Sequence, residues 1–308
     1  MILCYGGIAL ETVIELPYAP IPGVAHIICE ERSRLGGGAA HVAEWLASWQ
    51  VPTRLAGYVL GTDPDGDRLV RWLSAYPSLD LRFLERSETA QTLVSRTVPF
   101  ADGSRYLLCI GYADVTVTAP RPEILDGVSI LEVAFYHRQE RGNAGAAEMT
   151  RLALAHGIRV TAMDVITGDE VGALDGLDLI INSAASIQER FPNADPLEHA
   201  RALQERSGGI VIVTNGAREA VAIDADGANY RAQPPTVPVT DTTGAGDSFR
   251  AGMIYGLQQG WALSESLRWA TAVGALQVQR SLTQAPPPGR VQVEALASEI
   301  EVRTLTRG

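Results

Sequence analysis

The sequence of 308 residues contains no lysine, because all 25 of its basic residues are arginine. That absence rules out a Gly-x-x-x-x-Gly-Lys phosphate loop, a pyridoxal Schiff base and a lysine-dependent aldolase. Phosphate charge would have to be met by backbone N–H groups, arginine or a metal ion. Cysteine is also scarce. Cys4, Cys29 and Cys109 are odd in number and far apart, which suggests neither a disulfide framework nor a zinc site. Positive charge is in deficit, with a net charge of −11, and this argues against nucleic acid and anionic membrane surfaces as partners. No apolar run is long enough to span a bilayer, and Met1-Ile2-Leu3-Cys4-Tyr5 lacks a charged leader region. The expectation is a cytoplasmic protein. A composition of 46% hydrophobic and 20% charged residues suits a globular chain, with one large α/β domain as the default.

The stretch with most chemistry in it is Asp241-Thr242-Thr243-Gly244-Ala245-Gly246-Asp247-Ser248-Phe249-Arg250-Ala251-Gly252. Proline-punctuated residues 234–239 precede it, and Phe249, Ala251, Met253, Ile254 and Leu257 follow at roughly helical spacing, so the glycines fall at a helix N-terminus. Backbone N–H groups there have no intrahelical partner, glycine permits close approach, and the helix dipole favours an anion. A carboxylate beside a bound phosphate is suited to deprotonating a hydroxyl that attacks that phosphate. The same residues would also fit an ordinary glycine-rich loop before a helix.

Asp-Thr-Thr-Gly-Ala-Gly-Asp followed by Phe and Ala-Gly resembles the C-terminal signature of the ribokinase-like (PfkB) carbohydrate kinases. The resemblance implies a three-layer α/β/α fold with a central, mainly parallel sheet and a small β-sheet lid. It implies Asp247 as catalytic base and Gly244, Ala245 and Gly246 as an anion hole, with ATP and Mg²⁺ as cofactors. A monovalent cation such as K⁺ near Asp241 is common in such kinases. Gly36-Gly37-Gly38-Ala39-Ala40-His41 is similar to the family's N-terminal Gly-Gly-x-Ala-x-Asn signature, whose loop touches the sugar, with His41 in the place of Asn. Glu11 stands where an Asp binds substrate hydroxyls in the family. Glu11, Gly36, Gly37, His41 and Arg105 are the expected substrate contacts, and Thr214, Gly216, Thr243, Asn182 and Gly274 the expected nucleotide contacts.

Along the chain, Ile2 to Ile8 reads as a buried strand. Residues 12–16 and 24–29, and later Gln91–Val98 and Arg105–Ile110 around Ala101-Asp102-Gly103-Ser104, read as two β pairs. They place the lid at about 11–35 and 89–112 of a single domain over 1–308, and in many members of the family the lid is a dimer surface. Gly61-Thr62-Asp63-Pro64-Asp65-Gly66 lacks calcium-loop spacing and reads as a structural turn before a helix beginning near Arg68. Residues 144–156 read as a helix, and 158–163, 177–181 and 210–214 as strands ending at Asp164, Asn182 and Asn215-Gly216. That alternation predicts a parallel sheet with ligands beyond its carboxyl ends. Ser264–Arg280 reads as an amphipathic helix and a terminal helix starts near Val291.

Two positions depart from the family. Ala185 replaces the Glu of Asn-x-x-Glu that helps hold magnesium, and Glu219 replaces a later Gly. Three readings therefore stay open: a kinase for a small sugar or sugar-like alcohol, a nucleoside kinase of the same fold, and a catalytically impaired sugar or nucleotide sensor. A dehydrogenase is not supported, since Gly6-Gly7-Ile8 is not a Gly-x-Gly-x-x-Gly turn. A serine esterase fails because Arg250 interrupts Gly-x-Ser-x-Gly and no His follows His199.

Overall fold

The computed structural model describes residues 1–308 except 17, 19, 22, 100–104, 137–138, 171–173, 281–285 and 306–308. The chain runs β1 (Ile2–Gly6), β2 (Ala9–Glu15), β3 (Glu30–Gly36), α1 (Gly38–Ser48), β4 (Thr53–Gly57), β5 (Leu60–Gly61), α2 (Pro64–Leu73), β6 (Leu79–Asp80) and β7 (Arg86–Ser87). It continues through β8 (Leu93–Pro99), β9 (Arg105–Ile110), β10 (Ile130–Ala134), α3 (Glu140–Ala155), β11 (Arg159–Met163), β12 (Leu177–Ser183), α4 (Ala184–Arg190) and α5 (Pro196–Ser207). Last come β13 (Ile210–Asn215), β14 (Arg218–Ile223), β15 (Asn229–Ala232), α6 (Ala245–Gln259), α7 (Leu263–Gln277), α8 (Arg290–Ala297) and β16 (Val302–Leu305).

Among the described residues, ten strands form one sheet in the order β16-β15-β14-β13-β12-β11-β10-β1-β4-β6. Neighbours from β6 to β13 are parallel, and β14, β15 and β16 add antiparallel at one edge. Strand periodicity sets the layers. Ile2 and Cys4 of β1 pack with α1, α6, α7 and α8 on one face, while Leu3 and Tyr5 pack with α3, α4 and α5 on the other. Both faces of β1 are buried, so its sequence is a continuous apolar run rather than an alternating one. Among the described residues no helix is long and apolar enough to cross a membrane.

The first face carries an aromatic cluster. The Trp49 ring lies 5.2 Å from Tyr255, 5.5 Å from Trp45 and 5.7 Å from Trp269, centre to centre, and Trp49 Nε1 donates to the Pro288 carbonyl at 3.1 Å. Edge-to-face rings joined by a satisfied indole fix α1 against α6 and α7.

A second sheet has the order β3-β2-β8-β9, with β2 and β8 parallel and the outer pairs antiparallel. The strand expected at residues 24–29 is not there. The partner of β2 is Glu30–Gly36, and Val24, Ile27 and Ile28 lie exposed outside it. Register explains the difference: Glu11 faces Arg34 and Val13 faces Arg32 across the pair, so cross-strand charge outweighs the β-branched run before it. The expected turn at Ala101–Ser104 lies outside the described residues. The helix expected near Arg68 starts earlier, at Pro64, because Asp63 caps it by accepting from Gly66 N at 2.8 Å and Pro64 suits the first turn.

Trp49→Ala is expected to cost about 3–5 kcal/mol of stability, the range for a buried Trp, read by chemical denaturation. A loss under about 1 kcal/mol would show that the cluster does not hold the helices together.

Candidate active site

The loop before α6 is braced before it meets any ligand. Thr240 N and Asp241 N donate to the Val278 carbonyl at 2.7 and 3.2 Å. Asp241 Oδ1 accepts from Thr243 N at 3.0 Å and from Thr243 Oγ1 at 2.9 Å, while Gln277 Nε2 donates to Thr243 O at 3.0 Å. Gly244 then turns with φ 75°, where a Cβ would come within 3.0 Å of His41 Nδ1. No side chain caps α6, which leaves first-turn N–H groups for an external anion.

Asp247 lies in the first turn of α6. Its Oδ2 is 3.1 Å from His41 Nδ1, and its Oδ1 accepts from Arg250 Nη2 at 3.2 Å. Arg250 Nη1 lies 3.1 Å from Glu132 Oε1, and both side chains are 0% exposed. Burial works to raise the Asp247 carboxyl, but the His41 hydrogen bond and the charges of Arg250 and His41 hold it below the usual value. Burial pushes Glu132 up to about 7 against the pull of Arg250, with the Cys4 thiol also bonded to it. Arg250 keeps its proton despite burial because Glu132 and Asp247 flank it. The Tyr136 hydroxyl is buried without a hydrogen-bond partner among the described residues, and a Cβ on Gly38 would meet it at 2.2 Å.

A second ion chain closes the other side. Arg34 Nε donates to Glu11 Oε2 at 2.8 Å and Arg34 Nη2 to Asp241 Oδ2 at 2.5 Å, while Thr97 Oγ1 donates to Glu11 Oε1 at 3.0 Å. Both oxygens of Glu11 are thus engaged, and Glu11 is 3% exposed. Gly36 packs on it, with a Cβ there reaching Glu11 Cβ at 3.0 Å. Gly37 has φ 90° and precedes α1. Arg105 opens β9, and its side chain lies outside the described residues.

The expected nucleotide residues line the carboxyl ends of β12 and β13 and the start of α6. Asn182 is fully buried and donates from Nδ2 to Val165 O at 2.7 Å, leaving its Oδ1 unpartnered among the described residues. Thr214 Oγ1 donates to Asn182 O at 3.4 Å, and Gly216 turns with φ 58° into open space. Gly274 of α7 lies against α6, where a Cβ would be 3.6 Å from Ala245 O. Asp164 directly follows β11, with φ 58°. Its Oδ1 is buried without a partner among the described residues, and burial pushes its carboxyl up to about 6. Ala185 is exposed on α4. Glu219 pairs with Arg231 at 3.1 Å and with Arg303, tying the antiparallel strands together. Among the described residues no group of three or more His, Cys, Asp or Glu is placed to hold a metal ion.

The profile described as pfkB family carbohydrate kinase matches residues 1–290. The 1-phosphofructokinase of Escherichia coli strain K12 is 38% identical over 112 residues, which is 35% of this chain and 34% of that protein. The match thus spans about a third of that relative's length. A putative ribokinase from Agrobacterium tumefaciens superposes with a TM-score of 0.83 at 19% identity, over 97% of both chains. The Arabidopsis thaliana ribokinase, solved with ribose and ATP, superposes with a TM-score of 0.79 at 19% identity, over 96% of this chain and 98% of that one.

Sequence reasoning did not find Arg250, Glu132, Arg34 or Tyr136 as parts of the site. A signal existed for two of them: Arg250 is a charge within the apolar face of a helix, and Glu132 a charge within Ile130–Ala134, which points to a buried pair. The glycines differ in what they tolerate. A Cβ on Gly37 would lie 2.4 Å from the Gly7 carbonyl oxygen, whereas one on Gly216 meets nothing. Gly37→Ala is expected to cost more than about 2 kcal/mol, and Gly216→Ala only the left-handed backbone penalty of about 1–2 kcal/mol. Equal losses in urea denaturation would contradict this ranking.

Proposed function

The chain belongs to the pfkB family of carbohydrate kinases, and from that premise we propose that it transfers the γ-phosphate of ATP to a hydroxyl of a small sugar or sugar-like molecule. The observation that carries this reading is Asp247 in the first turn of an uncapped helix, immediately after Gly244, Ala245 and Gly246. Asp247 takes the hydroxyl proton, and the first-turn N–H groups receive the charge that develops on the phosphoryl oxygens. Arg250 fixes the carboxylate's orientation through Oδ1. Thr214, Gly216, Thr243, Asn182 and Gly274 form the nucleotide side, and Glu11, Gly36, Gly37 and Arg105 the sugar side. Glu11 meets a sugar by exchanging Thr97 or Arg34 for a substrate hydroxyl.

Magnesium fits this site on one protein oxygen rather than a cage. The unpartnered Oδ1 of Asp164 is the donor available to an ion carried by the nucleotide phosphates, and the ion would neutralise their charge. A K⁺ ion near Asp241 belongs to the same reading. The second sheet leaves Tyr106, Leu107, Leu108 and Ile110 of β9 exposed, an apolar edge that supports a role as sugar-site lid and as homodimer surface. A sugar or nucleotide sensor is a second reading, favoured by Ala185 and Glu219 in the places of the family's Glu and Gly. A nucleoside acceptor is the alternative substrate class within the kinase reading.

The test is ADP release over a panel of ketoses, aldoses, sugar phosphates, sugar acids and nucleosides. Sugar-dependent release is expected; release with nucleosides alone would move the substrate class, and none with any compound would favour the sensor. Ala185→Glu is expected to lower the Mg²⁺ needed for half-maximal rate several-fold, measured by magnesium titration. No change would contradict the view that Ala185 leaves the ion with a protein donor too few.

A further inference from the structure

His41 faces a hydrogen-bond acceptor at each ring nitrogen. Nε2 lies 2.8 Å from the carbonyl oxygen of Leu35, and Nδ1 lies 3.1 Å from Asp247 Oδ2. A neutral imidazole carries one N–H, and neither a carbonyl nor an ionised carboxylate can donate. Two protonation states satisfy this geometry: an imidazolium beside a carboxylate, or an Nε2–H imidazole beside a protonated Asp247. In both, one proton lies between Nδ1 and Oδ2. Without it two lone pairs oppose each other at 3.1 Å, in a place where the side chains of His41 and Asp247 are 12% and 19% exposed.

We propose that His41 and Asp247 form a two-residue proton acceptor, in which the proton taken from the substrate hydroxyl by Asp247 is shared with His41 Nδ1. The inference rests on the kinase reading above. The O–H bond of the acceptor breaks and its oxygen forms the new O–P bond. The bond from the γ-phosphorus to the bridging oxygen breaks, and its electron pair leaves on ADP. The proton goes from the hydroxyl to Oδ2, is shared with Nδ1, and passes to solvent with product release. An asparagine at this position, as the resemblance expects, could hold neither a proton nor a charge.

The surroundings bear on both groups. From α6, Arg250 opposes the imidazolium and holds Oδ1. Glu132 of β10 offsets Arg250, and Glu11 of β2 adds attraction for a charge on His41. Arg34 of β3 is already matched by Glu11 and Asp241. Asp164, beyond β11, adds negative charge near Arg250, and the Tyr136 hydroxyl stays protonated because it is buried. Burial works against a charge on His41, but the Asp247 hydrogen bond and charge prevail and raise its pKa. A pair that begins protonated cannot take a second proton, so activity is present above the pKa of His41 and falls as the pH drops through it.

The experiment is the pH profile of kcat/KM for the wild type and for His41→Asn, with the best sugar from the panel. The wild type is expected to lose about tenfold per pH unit below a midpoint above the usual histidine value of about 6.5. His41→Asn should move that midpoint down by more than one pH unit. An identical acid limb in both proteins would overturn the inference while leaving the kinase reading standing. ¹⁵N NMR of the imidazole gives a readout without turnover: near pH 6 the Nδ1 resonance should lie at a protonated or hydrogen-bonded position, and an Nδ1 at the position of a free lone pair there would overturn the proposal. Absence of turnover with every compound of the panel defeats the kinase reading alone, and the NMR result still decides whether the proton is shared.

Discussion

Arg250 has no access to water, and its charge is tolerable there because Glu132 accompanies it from the sheet and Asp247 from its own helix. The guanidinium therefore links the first turn of α6 to the centre of the parallel sheet. Losing one partner of such a buried group leaves an uncompensated charge, at about 3–5 kcal/mol. Arg250 also orients the Asp247 carboxylate. Oδ1 of Asp247 is taken by Arg250, so Oδ2 is left to His41. The packing of α1 and α7 against α6, with Trp49 stacked edge-on to Tyr255 and Trp269, keeps that arrangement rigid.

The missing lysine has a structural counterpart. No side chain caps the first turn of α6, and the interior positive charges are all arginine. Arg34 bridges Glu11 and Asp241. Arg54, 1% exposed, bonds Asp80 and the carbonyls of Ile124 and Asp126, with its guanidinium 5.0 Å from the Phe83 ring. A planar fork with several donors can satisfy separate acceptors at once, which an ammonium does with less geometric definition. These arginines consequently cross-link elements far apart in sequence.

How much could be read in advance depended on the range of each interaction. The alternation of helix and strand after residue 130 and the glycine turn before α6 are local patterns, and both are present. The partner of β2 was misplaced because β-propensity marks the apolar run at 24–29, whereas pairing is set by Glu11 against Arg34. His41 was legible as a polar residue in the first turn after the glycine run that opens α1. Its bond to Asp247 was not, since the two lie 206 positions apart and no local rule joins them. Arg250 looked like an interruption of a serine motif, and only the sheet supplies Glu132 to explain it.

Asp247 is the group proposed to remove the acceptor's proton, and Asp247→Asn tests this most directly. Asparagine keeps the size and can still bond Arg250 and His41, but it cannot take a proton. With a sugar that the wild type phosphorylates, kcat is predicted to fall by at least about 10³-fold while ATP and sugar binding, measured by calorimetry, stay within a few-fold. A variant that keeps near-wild-type kcat would contradict the assignment.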